Sequence, residues 1–194
     1  MTGMSLVFRI PLRAAALLAF SALPAFSQSL TGVVDIHVHC DPDSRPRSID
    51  AMDLAKLAKS RGMRGLVLKS HYEPTASMAY LVRKAVPGIE AFGGIDLNRS
   101  VGGLNTDAIE RMAAVKGGWG RVVWMPTFDA ENQVRFSKEN RPFVSVAKNG
   151  ELLPDAKAVI AVVARLGLTL ETGHSSPEEG LLILREAQIG RAHV

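Results

Sequence analysis

Cysteine is almost absent from this chain: Cys40 stands alone among 194 residues. It cannot close an internal disulfide, and directly after His39 it lies either beside a metal or as a small, partly buried residue. No Gly-x-Gly-x-x-Gly follows the first strand-like run, which disfavours a dinucleotide-binding fold. The apolar run near the N-terminus falls short of the roughly 20 residues a membrane span needs. Charge of one sign is not in excess either. The formal net charge is +4, and it falls to +1 once Arg9, Arg13 and Arg191, in the two end segments, are set aside. Nothing then points to nucleic acid or an anionic membrane as a partner. What remains is ordinary globular composition, 47% hydrophobic and 22% charged, in a length that suits one domain with a sizeable core.

The two ends differ from the middle. Arg9 and Arg13 precede an apolar run through Leu17, Leu18 and Phe20, and Ala25, Phe26 and Ser27 supply small residues at a cleavage spacing. Residues 1–27 are therefore expected to be a secretory signal peptide, with the mature domain at 28–188 working in the periplasm or outside the cell. Residues 189–194 read as a non-native tail and are kept out of the fold reasoning, the alternative being a strand that begins at His193.

Between these ends one unit repeats. The β-branched entry Val33, Val34 leads into Asp35, Ile36, His37, Val38 and His39, and the turn-rich residues 40–47 follow. Ser48 or Asp50 caps a helix with Leu54, Leu57 and Ala58 at helical spacing. A second strand at 65–68 runs into Lys69, Ser70 and His71, and a helix to Val86 carries Met78, Leu81 and Val82 on one face. A third strand at 89–95 ends in Asp96 and Asn98; Asn105 or Thr106 then caps a helix bearing Ile109 and Met112. The fourth strand, 121–125, ends at Pro126 and Thr127. Residues 128–153 form a long connection with an Asn149-Gly150 hairpin signal, expected as a small β-flap beside the site. Pro154 opens a helix with Val159, Ile160 and Val163 inward. A fifth strand at 168–172 ends in Gly173 and His174, and Pro177 starts a helix whose Leu181, Leu182 and Leu184 are expected to face the core.

Short apolar strands alternating with helices imply a parallel sheet with right-handed crossovers. A complete eight-fold barrel takes roughly 250 residues, and about five βα units in about 160 residues keep that pace. The expected fold class is α/β, an incomplete (β/α)8 TIM-barrel type.

Such folds place chemistry at the carboxyl ends of the strands. Those ends carry Asp35, His37 and His39, then Lys69 and His71, Asp96 and Asn98, Thr127, and finally Glu171 and His174. His37 and His39 lie two apart and project to one side of their strand. Apart from His193, every histidine of the chain falls on this one edge. Imidazoles gathered this way point to a divalent metal.

The stretches Asp-Ile-His-Val-His (35–39), Leu-Lys-Ser-His (68–71), Val-Val-Trp-Met-Pro-Thr (122–127) and Glu-Thr-Gly-His (171–174) resemble a poorly characterised bacterial branch of the amidohydrolase superfamily. The resemblance implies a metal-dependent hydrolase in which His37 and His39 bind the metal, simplest as zinc, and His174 is the fifth-strand ligand. His71 is a further ligand candidate. Lys69 stands either as a bridging group or as an ordinary cation, and Asp35 and Glu171 as supporting carboxylates. The superfamily's general base, an aspartate on an eighth strand, has no counterpart up to Gln188. Arg45, Arg47 and Arg99 are candidates to hold an anionic group of a small-molecule substrate. Decarboxylation or phosphoester cleavage on the same scaffold, or a non-catalytic metal-binding fragment, are the alternatives. The oligomeric state is not readable from the chain.

Overall fold

The computed structural model describes residues 29–194; the leader-like segment lies outside the described residues. Five parallel strands form one sheet: β1 (Val34–Val38), β2 (Gly65–Leu68), β3 (Glu90–Asp96), β4 (Gly120–Trp124) and, after a two-stranded hairpin, β7 (Thr169–Glu171). Their spatial order, β1-β2-β3-β4-β7, follows the sequence. With right-handed crossovers that order sends every connecting helix to the same face, whereas a doubly wound sheet reverses its order midway. The result is a mixed α/β fold whose curled sheet makes a half-barrel, helices outside and a concave face within.

Five helices clothe the convex side: α1 (Ala51–Ser60), α2 (Ala76–Ala85), α3 (Thr106–Ala113), α5 (Pro154–Arg165) and α6 (Pro177–Gly190). Their starts follow from local chemistry. The Asp50 carboxylate accepts from the amides of Met52 and Asp53, Asn105 accepts from that of Ala108, and Ser176 with Glu179 forms a reciprocal capping box ahead of Pro177. Beneath them lies a core of Leu66, Leu68, Ala91, Ile95, Val123 and Leu170, none more than 1% exposed.

The inward helix residues agree with the expectation at Ala58, Val82, Ile109, Met112, Val159, Ile160 and Val163 and differ at several leucines. Leu57, Leu81, Leu181 and Leu184 are 48%, 53%, 54% and 37% exposed, while Ala55, Ala58, Ala79, Val82, Ile183 and Ala187 are buried. The strands already present large aliphatic side chains, so helices packed closely on them turn small residues inward. Inward alanines leave the adjacent leucines at the rim.

The long connection contains an unexpected short helix, α4 (Glu131–Phe136), and then the hairpin β5 (Ala147–Lys148) and β6 (Glu151–Leu152). Asn149 and Gly150 at its tip have φ of 53° and 79°, as a type I′ turn requires. Val146 and Leu152 are buried in the helix-side core, which anchors the hairpin to the convex layer. At the other end, α6 runs on to Gly190, and His193 bridges in parallel to Thr169 while its carbonyl accepts from the Leu170 amide at 2.8 Å. Residues set aside in the sequence reading thus lie where the next strand would pair with β7.

Candidate metal centre

Alternation along the strands sends every second side chain to the concave face. Its floor is apolar, made of Val67, Val122, Trp124 and Phe92. Gly94 makes room for the indole, since a Cβ there would lie 2.4 Å from the Trp124 ring and 2.2 Å from the Val122 carbonyl oxygen. The indole N–H in turn donates to Glu171 Oε2 at 2.6 Å, which fixes that carboxylate on the concave side.

Above the floor the face becomes polar. Lys69 Nζ sits 4.6 Å over the Trp124 ring and 3.6 Å from Asp96 Oδ2, with both side chains at most 1% exposed. Burial pushes the lysine pKa down, against the pull of Asp96 and Glu171. The same Asp96 oxygen lies 3.1 Å from His71 Nδ1 and accepts from the Thr127 hydroxyl at 2.8 Å. Asn98 completes the network: its amide N–H groups donate to Thr127 Oγ1 and to the His71 carbonyl, and its oxygen accepts from the Thr127 amide. With the Thr127 proton given to Asp96, His71 Nδ1 serves as donor, which leaves the Nε2 lone pair for another partner.

The remaining imidazoles gather around His71. The His39 ring stacks on it at 4.6 Å between centroids, His174 lies at 6.1 Å, and His37 is 5.3 Å from His39. His174 is placed by a tight turn. Gly173, with φ of +63°, would put a Cβ 2.2 Å from the Met125 carbonyl oxygen, and the next amide donates to the Pro126 carbonyl at 3.0 Å. Asn132 of α4 donates to the His174 carbonyl at 3.0 Å, so the unexpected helix steadies this ligand candidate.

All three outer imidazoles are held neutral. Burial lowers the pKa of His39 to about 4, with His71 and Arg47 adding to the shift. Burial, then Lys69, lowers those of His37 and His174. Neutral rings offer lone pairs at neutral pH.

Whether these residues suit a metal can be tested on the buried atoms left over. Among the described residues, His39 Nδ1, His174 Nδ1, Asp96 Oδ1 and Ser175 Oγ are buried without a hydrogen-bond partner. Three of the four belong to the strand-end cluster, and an unpartnered buried polar atom is costly unless something meets it. Among the described residues, however, no three His, Cys, Asp or Glu side chains are grouped as a ready coordination set. The donor chemistry therefore fits a divalent ion, and the side chains would have to close on it.

The other sequence candidates are spread out. Asp35 Oδ1 accepts from the His37 amide at 2.9 Å, so it braces the strand backbone and not a ring. Arg47 is clamped by Asp43 through Nε and a terminal nitrogen at 2.8 and 2.6 Å. Arg99 lines a separate cleft with Gly102, Phe143 and Leu153. Arg45 lies over Tyr72 and Phe128, and Phe128 packs 4.0 Å from the His71 ring. Cys40 points to the convex side against Met78 at 3.9 Å, its thiol pKa pushed up to about 11 by burial. Trp124 and Phe128 were not among the sequence candidates; each borders a candidate in the chain or the sheet, but aromatic residues carry no parity signal of their own.

Residues 32–192 match a protein family described as a family of unknown function, DUF6282, and the chain belongs to that family. No curated protein matches the chain.

Proposed function

We propose that this member of the DUF6282 family is a metal-dependent hydrolase of the amidohydrolase type, its half-barrel part of a (β/α)8-type fold, acting on a small-molecule substrate. The observation that carries the proposal is the pair of buried, partnerless imidazole nitrogens on His39 and His174, gathered with His71 at one strand-end edge. His37, His39 and His174 would hold the ion, and His71 is the fourth donor, its ring oriented by Asp96 as histidine ligands commonly are. Zinc is the simplest choice for neutral imidazoles. When bound, such an ion lowers the pKa of water from about 15.7 towards 7 and polarises a carbonyl or phosphoryl oxygen.

The rest of the face does supporting work. Asp96 gathers Lys69, His71 and Thr127, Trp124 positions Glu171, and the apolar floor keeps water from beneath the reacting groups. Lys69 serves as the counter-charge of Asp96 in this reading. On the strength of the leader-like residues 1–27, the protein would work in the periplasm or outside the cell. The test is hydrolysis of a panel of amides, lactones and phosphoesters before and after chelation. Activity that disappears with the chelator and returns with zinc supports the proposal; activity indifferent to chelation overturns it.

A further inference from the structure

We infer that Arg45, seated on Tyr72 and Phe128, anchors an anionic group of the ligand, so that the site takes small molecules carrying a free carboxylate or phosphate. The other cations nearby are already matched. Lys69 is buried on Asp96, Arg47 is fastened by Asp43, and Arg141 is held by Asp129 at 2.5 Å and by Glu139. Among the described residues no carboxylate pairs with Arg45. Its Nε donates to the Tyr72 hydroxyl at 3.0 Å and its guanidinium carbon lies 4.5 Å from the Phe128 ring centroid. Those contacts hold the planar fork in place and leave its terminal N–H groups free, the arrangement suited to bidentate capture of an anion.

Position argues the same way. Arg45, Tyr72, Phe128, Gln133 and Arg141 line a cleft of about 370 Å³. Phe128 separates that cleft from the imidazoles, with its ring centroid 4.0 Å from His71 and 5.8 Å from His174. An anion gripped by Arg45 would lie one aromatic ring away from the histidine cluster. The charged end of such a ligand is therefore distinct from its reacting end, and a short carbon spacer would pass along Phe128. The cleft's own carboxylates, Asp129 and Glu139, are engaged by Arg141 and so oppose an anion less. The inference rests on the metal-hydrolase reading only for which end reacts; capture of the anion is independent of it.

The experiment is calorimetric titration of the metal-free full chain with succinate and, separately, inorganic phosphate, with zinc content measured on aliquots of the same preparations after reloading with zinc and desalting. Arg45→Gln should weaken binding by about tenfold or more, because a hydrogen bond between charged groups is lost. Arg45→Lys should retain part of it, Tyr72→Phe should weaken it a few-fold by loosening the fork, and Arg99→Gln should leave it unchanged. The tighter of the two probes identifies the anion. A parent that binds neither, or an Arg45→Gln variant that binds as the parent does, overturns the inference. Zinc content equal in parent and Arg45→Gln separates loss of the anion anchor from loss of the metal; anion binding through Arg45 in a chain that never takes up zinc would refute the metal reading alone.

Discussion

The two faces of the five-stranded sheet are made by alternate residues of the same strands, yet they are built on opposite terms. On the convex face Leu66, Leu68, Ala91, Ile95, Val123 and Leu170 meet helices and are excluded from water. On the concave face Lys69, Asp96 and His71 are equally hidden, but their burial brings desolvation that only mutual contacts offset, and His39, His174 and Asp96 keep buried atoms with no partner. The convex side is satisfied by burial itself, whereas the concave side keeps buried polar atoms that the protein's own described contacts leave unmet.

The contrast can be broken by mutation. Asp96→Ala should cost the most, about 4 kcal/mol, because the buried Lys69 loses the carboxylate 3.6 Å from it and keeps only the weaker attraction of Glu171. Urea unfolding measures it, and a Lys69→Met/Asp96→Ala double variant should recover much of the loss. A single variant as stable as the parent would show that the concave network is not coupled. On the convex face, Leu68→Ala should cost about 3 kcal/mol through cavity formation, while leaving anion and metal binding as they are. If it abolished ligand binding instead, the two faces would not be separable.

Acid sharpens the comparison further. His39 titrates at about 4 against its ordinary 6.5, so between those values the unfolded chain binds the additional proton. Stability of the metal-free protein should therefore fall as pH drops from about 6.5 to about 4, with His37 and His174 acting in the same direction. The urea midpoint of His39→Gln should follow a flatter course over that window; an identical slope would remove His39 from the account. The smallest effect belongs to the helix rim. Leu57→Gln should change stability by less than about 0.5 kcal/mol, since this leucine is 48% exposed.

Strand order and the siting of polar residues were legible because both depend on simple periods. The pace of strand and helix predicts sequential parallel strands, and the spacing of His37 and His39 predicts a shared face. The inward residues of α3 and α5 were legible, whereas in α1, α2 and α6 the leucines were not: a 3.6 period admits either Leu57 or its neighbour Ala58 at the centre of the buried face, and the bulk of Leu66 and Leu68 on the strands beneath favours the alanine. Asp96, Asn98 and Thr127 could be placed at strand ends from sequence. Their joining into one network with His71 depends on the curl of the sheet, which brings residues from three strands within hydrogen-bond reach. Arg45, Arg47 and Arg99 looked alike in sequence and are separated only by their partners in space: Asp43 takes Arg47, and Arg99 is carried to another cleft.

Elemental analysis of purified protein decides whether the concave-face imidazoles hold a divalent ion. The parent should carry a zinc-like metal at a near-constant ratio to chain, and His37→Ala/His39→Ala, purified beside it, should carry almost none while remaining folded. Equal metal content in the two proteins would contradict the account.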